Sequence, residues 1–198
     1  MSDRSRTSVC AIGAVLLMGW LPVSPAGAAR QVPRTAADDA PVVADFLTRV
    51  NAYVVIHLQA ERAAPKLPQE ATPKQIDQTQ RAMADRIQAA RAGAKRGDIF
   101  TPEMTAVIKR ILIEVLAGPA GARRRSSIMD DNVKFVPLTA NQRYPDDVAL
   151  TTMPPGLLKA LPELPEEMEY RFIGPHLILF DQHAHIIPDF VPNALAGK

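Results

Sequence analysis

The chain has 198 residues, a formal net charge of +2 from 23 basic and 21 acidic side chains, and a single cysteine. That near balance leaves no electrostatic footprint for nucleic acid. One cysteine excludes an intramolecular disulfide and any site built from several thiolates.

The first 28 residues read as a signal peptide. Asp3, Arg4 and Arg6 make a polar, net-basic start, and Val9 to Leu21 is an apolar run of about 13 residues. Such a run suits the core of an export signal and is too short to span a bilayer. Pro22 and Pro25 follow, then Ala26-Gly27-Ala28-Ala29. Ala26 and Ala28 fit the small-x-small cleavage pattern, so the expected cut falls after Ala28, with Ala29 as the alternative. The expected location is periplasmic or secreted. Cys10 and Trp20 leave with the signal, and Cys10 stands at the start of the apolar run, after Thr7, Ser8 and Val9, which is the wrong place for a lipid-anchor cysteine. No later apolar run approaches about 18 residues, so no transmembrane segment is expected in the mature chain.

Residues 29–38 are polar and aperiodic and read as a flexible leader. A helical domain is expected over 39–118. Asp39 can cap a first helix that starts near Pro41 and runs to about Ala63. Val43, Leu47, Val50, Val54 and Leu58 recur at spacings of three and four, with Phe46 and Tyr53 widening the stripe. Thr72-Pro73-Lys74-Gln75 is a capping box with proline at the first helical position. From it runs a seam of Ile76, Gln80, Met83, Ile87, Ala90 and Ala94, stopped by Gly97. Thr101-Pro102-Glu103 opens a third helix with an apolar face of Met104, Val107, Ile108, Ile111, Leu112 and Val115, ended by Gly118-Pro119. The three predict a helical hairpin with a third helix laid across it.

The texture changes beyond Gly118: ten of the 18 prolines lie between Pro119 and Pro192. Residues 119–160 read as a Pro-rich linker with little regular structure. Within it, Gly121 to Asp131 is a charged segment, Val133 to Leu138 an edge strand interrupted by Pro137, 139–152 a loop, and Pro154 to Leu161 one helical turn. Residues 161–198 read as a β-meander tail. Its strands are Glu169 to Ile173, Leu177 to Phe180 and Ile186 to Val191, with turns at Gly174-Pro175 and Asp181 to His185. The expected fold is therefore α+β: a three-helix body, a Pro-rich segment and a small antiparallel three-stranded meander.

The tail runs from Leu161-Pro-Glu-Leu-Pro-Glu-Glu-Met-Glu-Tyr-Arg-Phe-Ile-Gly through His176-Leu-Ile-Leu-Phe-Asp to Ile186-Ile-Pro-Asp-Phe-Val. Over about 35 residues it resembles the C-terminal β meander of small RcnB-type periplasmic proteins of proteobacteria. That resemblance implies export and, by association, nickel or cobalt homeostasis. The helical front, including Ala92-Gly-Ala-Lys-Arg-Gly-Asp-Ile-Phe-Thr-Pro-Glu, is similar to uncharacterised exported bacterial proteins and unlike the short front of the RcnB type.

Candidate chemistry is sparse. Asp181, His183 and His185 are spaced two apart, and on a straight strand would share one side as an imidazole and carboxylate set for zinc, nickel or copper. His176 would be a fourth candidate, but the strand pairing places it roughly 15 Å from the turn. The competing reading is that Asp181 to His185 forms the turn itself, with histidines on its surface. His57 lies near the stripe of the first helix and reads as a histidine at the core's edge. Arg123 to Arg125 and the cations of the second helix read as solvated faces. Glu163, Glu166, Glu167 and Glu169 occupy a Pro-rich lead with no sign of a pocket. No phosphate loop, dinucleotide fingerprint, zincin motif or nucleophile elbow is present. The expectation is an exported, non-enzymatic protein without a cofactor that binds another protein or an envelope component. Periplasmic metal handling by the tail histidines is the alternative, and an enzyme with a site assembled from scattered residues the second alternative.

Overall fold

The computed structural model of the chain describes residues 36–130 and 136–195. The signal peptide, most of the leader and the Val133–Val136 half of the predicted edge strand border or lie outside that range; residues 136–139 have no regular structure.

Helix α1 (Ala36–Ala63) begins five residues before Pro41, which lies inside its first turns. Its buried seam is Phe46, Val50, Tyr53, His57, Ala60 and Ala64, again at spacings of four and three. The seam expected from the valines is thus rotated, with Val43, Leu47 and Val54 only partly buried beside it. The large rings took the centre because they fill more of the space between helix and sheet.

Helix α2 (Pro73–Ala90) forms the capping box read from the sequence: Gln75 N donates to Thr72 Oγ1 and Thr72 N to Gln75 Oε1. It ends at Ala90, and turns carry the chain to Gly97, which takes a φ of +95°. Helix α3 (Pro102–Val115) is capped by Thr101, whose hydroxyl accepts from Met104 N, and it buries Met104, Val107, Ile108 and Leu112. Arg110 pairs with Asp39, tying α3 to the start of α1.

Helix α4 (Gly118–Asp130) occupies most of the segment expected to be charged linker. Gly118 takes a φ of +69°, and Pro119 then serves the start of a new helix rather than the end of structure. Gly121 lies so close to the Leu116 backbone that a Cβ there would collide with it. Ile128 anchors α4, while Arg123 and Arg124 face solvent as expected. Helix α5 (Pro155–Leu158) is the single turn read near Pro154.

The sheet is antiparallel and has five strands rather than three: β1 (Gln142–Arg143), β2 (Met168–Ile173), β3 (His176–Asp181), β4 (Ile186–Ile187) and β5 (Phe190–Val191). Strand β3 is central. It pairs with β2 from Ile173↔His176 to Met168↔Asp181, with β4 at Asp181↔Ile186, and with β5 at Leu177↔Val191. The expected third strand is broken into β4 and β5 at Pro188, which has no N–H to give a ladder. Strand β1, inside the predicted loop, adds to the outer edge of β4.

Period-two alternation divides β3 between two cores. Leu177 and Leu179 join Tyr170, Phe172 and Ile186 against the helices. Ile178 and Phe180 join Ile173, Ile187, Phe190 and Tyr144 on the other face, covered by Val136, Leu138 and Val148. The helices and the tail belong to one compact unit. No helix among the described residues is long and apolar enough to cross a membrane.

A candidate metal centre between α1 and the β3–β4 turn

The alternation that faces Leu177 and Leu179 toward the helices does the same for Asp181, the last residue of β3. Asp181 is fully buried, as is His57 in the α1 seam. His57 Nδ1 lies 2.6 Å from Asp181 Oδ2, and Tyr53 Oη donates to the same oxygen at 2.7 Å. Asp181 Oδ1 accepts from the backbone N–H of Ala184 at 2.9 Å and of His183 at 3.1 Å. A carboxylate only accepts, so Nδ1 carries a proton toward Asp181. Four donors converge on this carboxylate, which is what a buried ionised group requires.

The environment shifts both partners. Burial, reinforced by the charge and hydrogen bond of Asp181, holds the Tyr53 hydroxyl well above its ordinary pKa. Burial opposes a charge on His57, but the hydrogen bond and charge of Asp181 outweigh it and raise the imidazole pKa. Arg91 lies 5.1 Å above the Tyr53 ring and closes that side of the pair.

The other ring nitrogen of His57 is the notable atom. Nε2 is buried and has no hydrogen-bond partner among the described residues. Glu61 follows His57 by one helical turn on α1, and His183 reaches over from the β3–β4 turn. The His57 and His183 rings are 5.5 Å apart, and His183 Nδ1 is 3.7 Å from Glu61 Oε1. One ligand atom from each of His57, Glu61 and His183 lies within 4.8 Å of the other two. Two imidazoles and a carboxylate are ligands for zinc and neighbouring divalent transition ions. Their donors stand about 3.4 Å apart around a tetrahedral zinc ion, a contraction the half-exposed Glu61 and His183 can make by rotation. Asp181 then has a defined part: a carboxylate on the far nitrogen of a metal-bound histidine fixes its tautomer and orientation.

The three residues singled out in the tail do not converge. Asp181 points into the helical core, where its carboxylate faces Tyr53 and His57. His185 takes a φ of +56° and turns to the opposite face, where its ring lies 5.5 Å from Tyr144 and 5.3 Å from Phe180. Burial and the nearby Arg143 lower its pKa. His176 stands at the other end of β3, with Asn193 N donating to its Nδ1. Only His183 reaches the cluster. The missing partners are His57 and Glu61 of α1, and the sequence did carry one signal for them. A histidine at the centre of a three-and-four seam, between Tyr53 and Ala60, needs a buried partner, and Glu61 is its neighbour one turn on.

Comparison of the chain with protein-family models, curated proteins and solved structures gave no significant match.

Proposed function

We propose that this is an exported, non-enzymatic metal-handling protein that holds one divalent transition ion, zinc in the first instance, on His57, Glu61 and His183. The observation that carries the reading is the state of His57: Nδ1 is fixed by a buried carboxylate, and Nε2 is buried and unpartnered beside two further ligand groups. An unpaired buried nitrogen costs on the order of 1–3 kcal/mol, and a bound ion removes that cost. The reading of residues 1–28 as a signal peptide supports action in the periplasm.

Titration of the purified mature chain with zinc against a chromophoric chelator tests the proposal. The expected result is one site with a dissociation constant below about 1 μM, weakened at least tenfold by either His183→Ala or Glu61→Gln. Both side chains are half-exposed, so both variants fold. Binding no tighter than about 10 μM, or binding indifferent to both substitutions, overturns it.

A further inference from the structure

The three ligands do not surround the ion. His57 is fully buried behind them, whereas Glu61 and His183 both line a cleft of about 550 Å³ between the end of α1, α2 and the β3–β4 turn. Three protein ligands leave at least one position of a zinc ion open, unlike the closed four-ligand sets of structural sites. Here that position faces the cleft.

The walls of the cleft say what would enter it. Pro65, Leu67, Ile76 and Met83 give it an apolar body, and Leu67 and Ile76 are 46% and 39% exposed. Glu61 is the only acid among the described lining residues, and Lys66 and His183 are the bases. With an ion in place, its two positive charges and that of Lys66 stand against the negative charges of Glu61, Asp181 and the nearby Glu167. A carboxylate oxygen is an ordinary zinc ligand, and Lys66 in the lining gives an anion a second partner. The volume falls within the range of small-molecule sites.

Resting on the metal reading above, we propose that the cleft binds an aliphatic monocarboxylate. Its carboxylate takes the open position of the ion, within reach of Lys66, and its hydrocarbon chain lies against Leu67, Ile76 and Met83. The ion and the aliphatic wall each contribute, so neither alone holds the ligand well.

Calorimetric titration with octanoate separates these parts. The zinc-loaded protein is expected to bind it with one-to-one stoichiometry, and the zinc-free protein at least tenfold more weakly. The double variant Leu67→Ser, Ile76→Ser is expected to lose at least tenfold in octanoate affinity while keeping its zinc affinity, since neither residue is a ligand. Zinc binding without octanoate binding overturns this proposal and leaves the metal reading standing. Octanoate binding that ignores zinc, or ignores the double substitution, also overturns it. Failure of zinc itself to bind defeats the metal reading, and this proposal falls with it.

Discussion

Asp181→Asn separates the fold from the site more sharply than any truncation. The amide keeps the shape of the carboxylate, and its Oδ1 still accepts from His183 N and Ala184 N. The change falls on the other atom. Where Oδ2 accepted from Tyr53 and His57, an NH₂ group now donates. Tyr53 Oη can accept in return. His57 Nδ1 can accept only if its proton moves to Nε2, the nitrogen required for the metal. Hydrogen bonding is thus largely preserved, and the loss is that of one charge-assisted interaction, about 1–3 kcal/mol of stability. Zinc binding must first reverse the tautomer, so it should fall by about 10–100-fold, equivalent to about 1.4–2.8 kcal/mol. Denaturant unfolding of the zinc-free protein gives the first number, and chelator competition gives the second. If Asp181→Asn binds zinc as tightly as the wild type while folded, the claim that Asp181 orients a ligand is refuted.

Three further outcomes are expected. Protons and zinc compete for His57, whose pKa is raised because the hydrogen bond and charge of Asp181 outweigh the opposing effect of burial, so zinc affinity should fall between pH 8 and pH 6. In the zinc-free protein the sign reverses: a raised folded pKa gives stability that is full below the unfolded value of about 6.5 and lost as pH rises through the folded value. The Tm difference between wild type and His57→Gln should therefore shrink from pH 6 to pH 8.5, and a constant difference would remove Asp181 as the cause of the shift. For export, a reporter fused to residues 1–35 should leave the cytoplasm and begin at Ala29 or Arg30. A full-length, membrane-held fusion would show that Val9 to Leu21 acts as an anchor.

What was legible in the sequence was whatever is encoded within a few residues. The Thr72–Gln75 box and the Thr101 cap fold as read because both partners of each hydrogen bond sit within one turn. The β2–β3 hairpin was likewise visible in its alternation and in Gly174, which takes a φ of +52°. Helix α4 was hidden because Gly118-Pro119 serves equally as the end of one helix and the start of the next, and its few apolar side chains show little periodicity. Strand β1 has two residues, too few for any period. The site was obscured for a different reason. His57 and Asp181 are 124 residues apart, and no local pattern marks two side chains that meet only when a strand end is laid on a helix. Reading the tail as a straight strand grouped Asp181 with His183 and His185, whereas the turn sends the last two to opposite sides.

A second buried carboxylate in the tail does to the α2–α3 connection what Asp181 does to α1. Asp189 accepts from the backbone N–H groups of Gly97, Ile99 and Phe100 as well as its own neighbour Phe190. The tail therefore carries the acceptors, and the helical part carries donors left open until the tail arrives, some 90 residues later in synthesis. Local helix formation can run ahead, but the assembly cannot close until the chain has been made through Asp189, which is the slow, long-range kind of folding. A product truncated before Asp181 would be more than a slightly weakened protein. It would expose the Tyr53 and His57 face of α1 and the amides of the connection together, and would present the cell with an incomplete chain that chaperones and proteases can recognise.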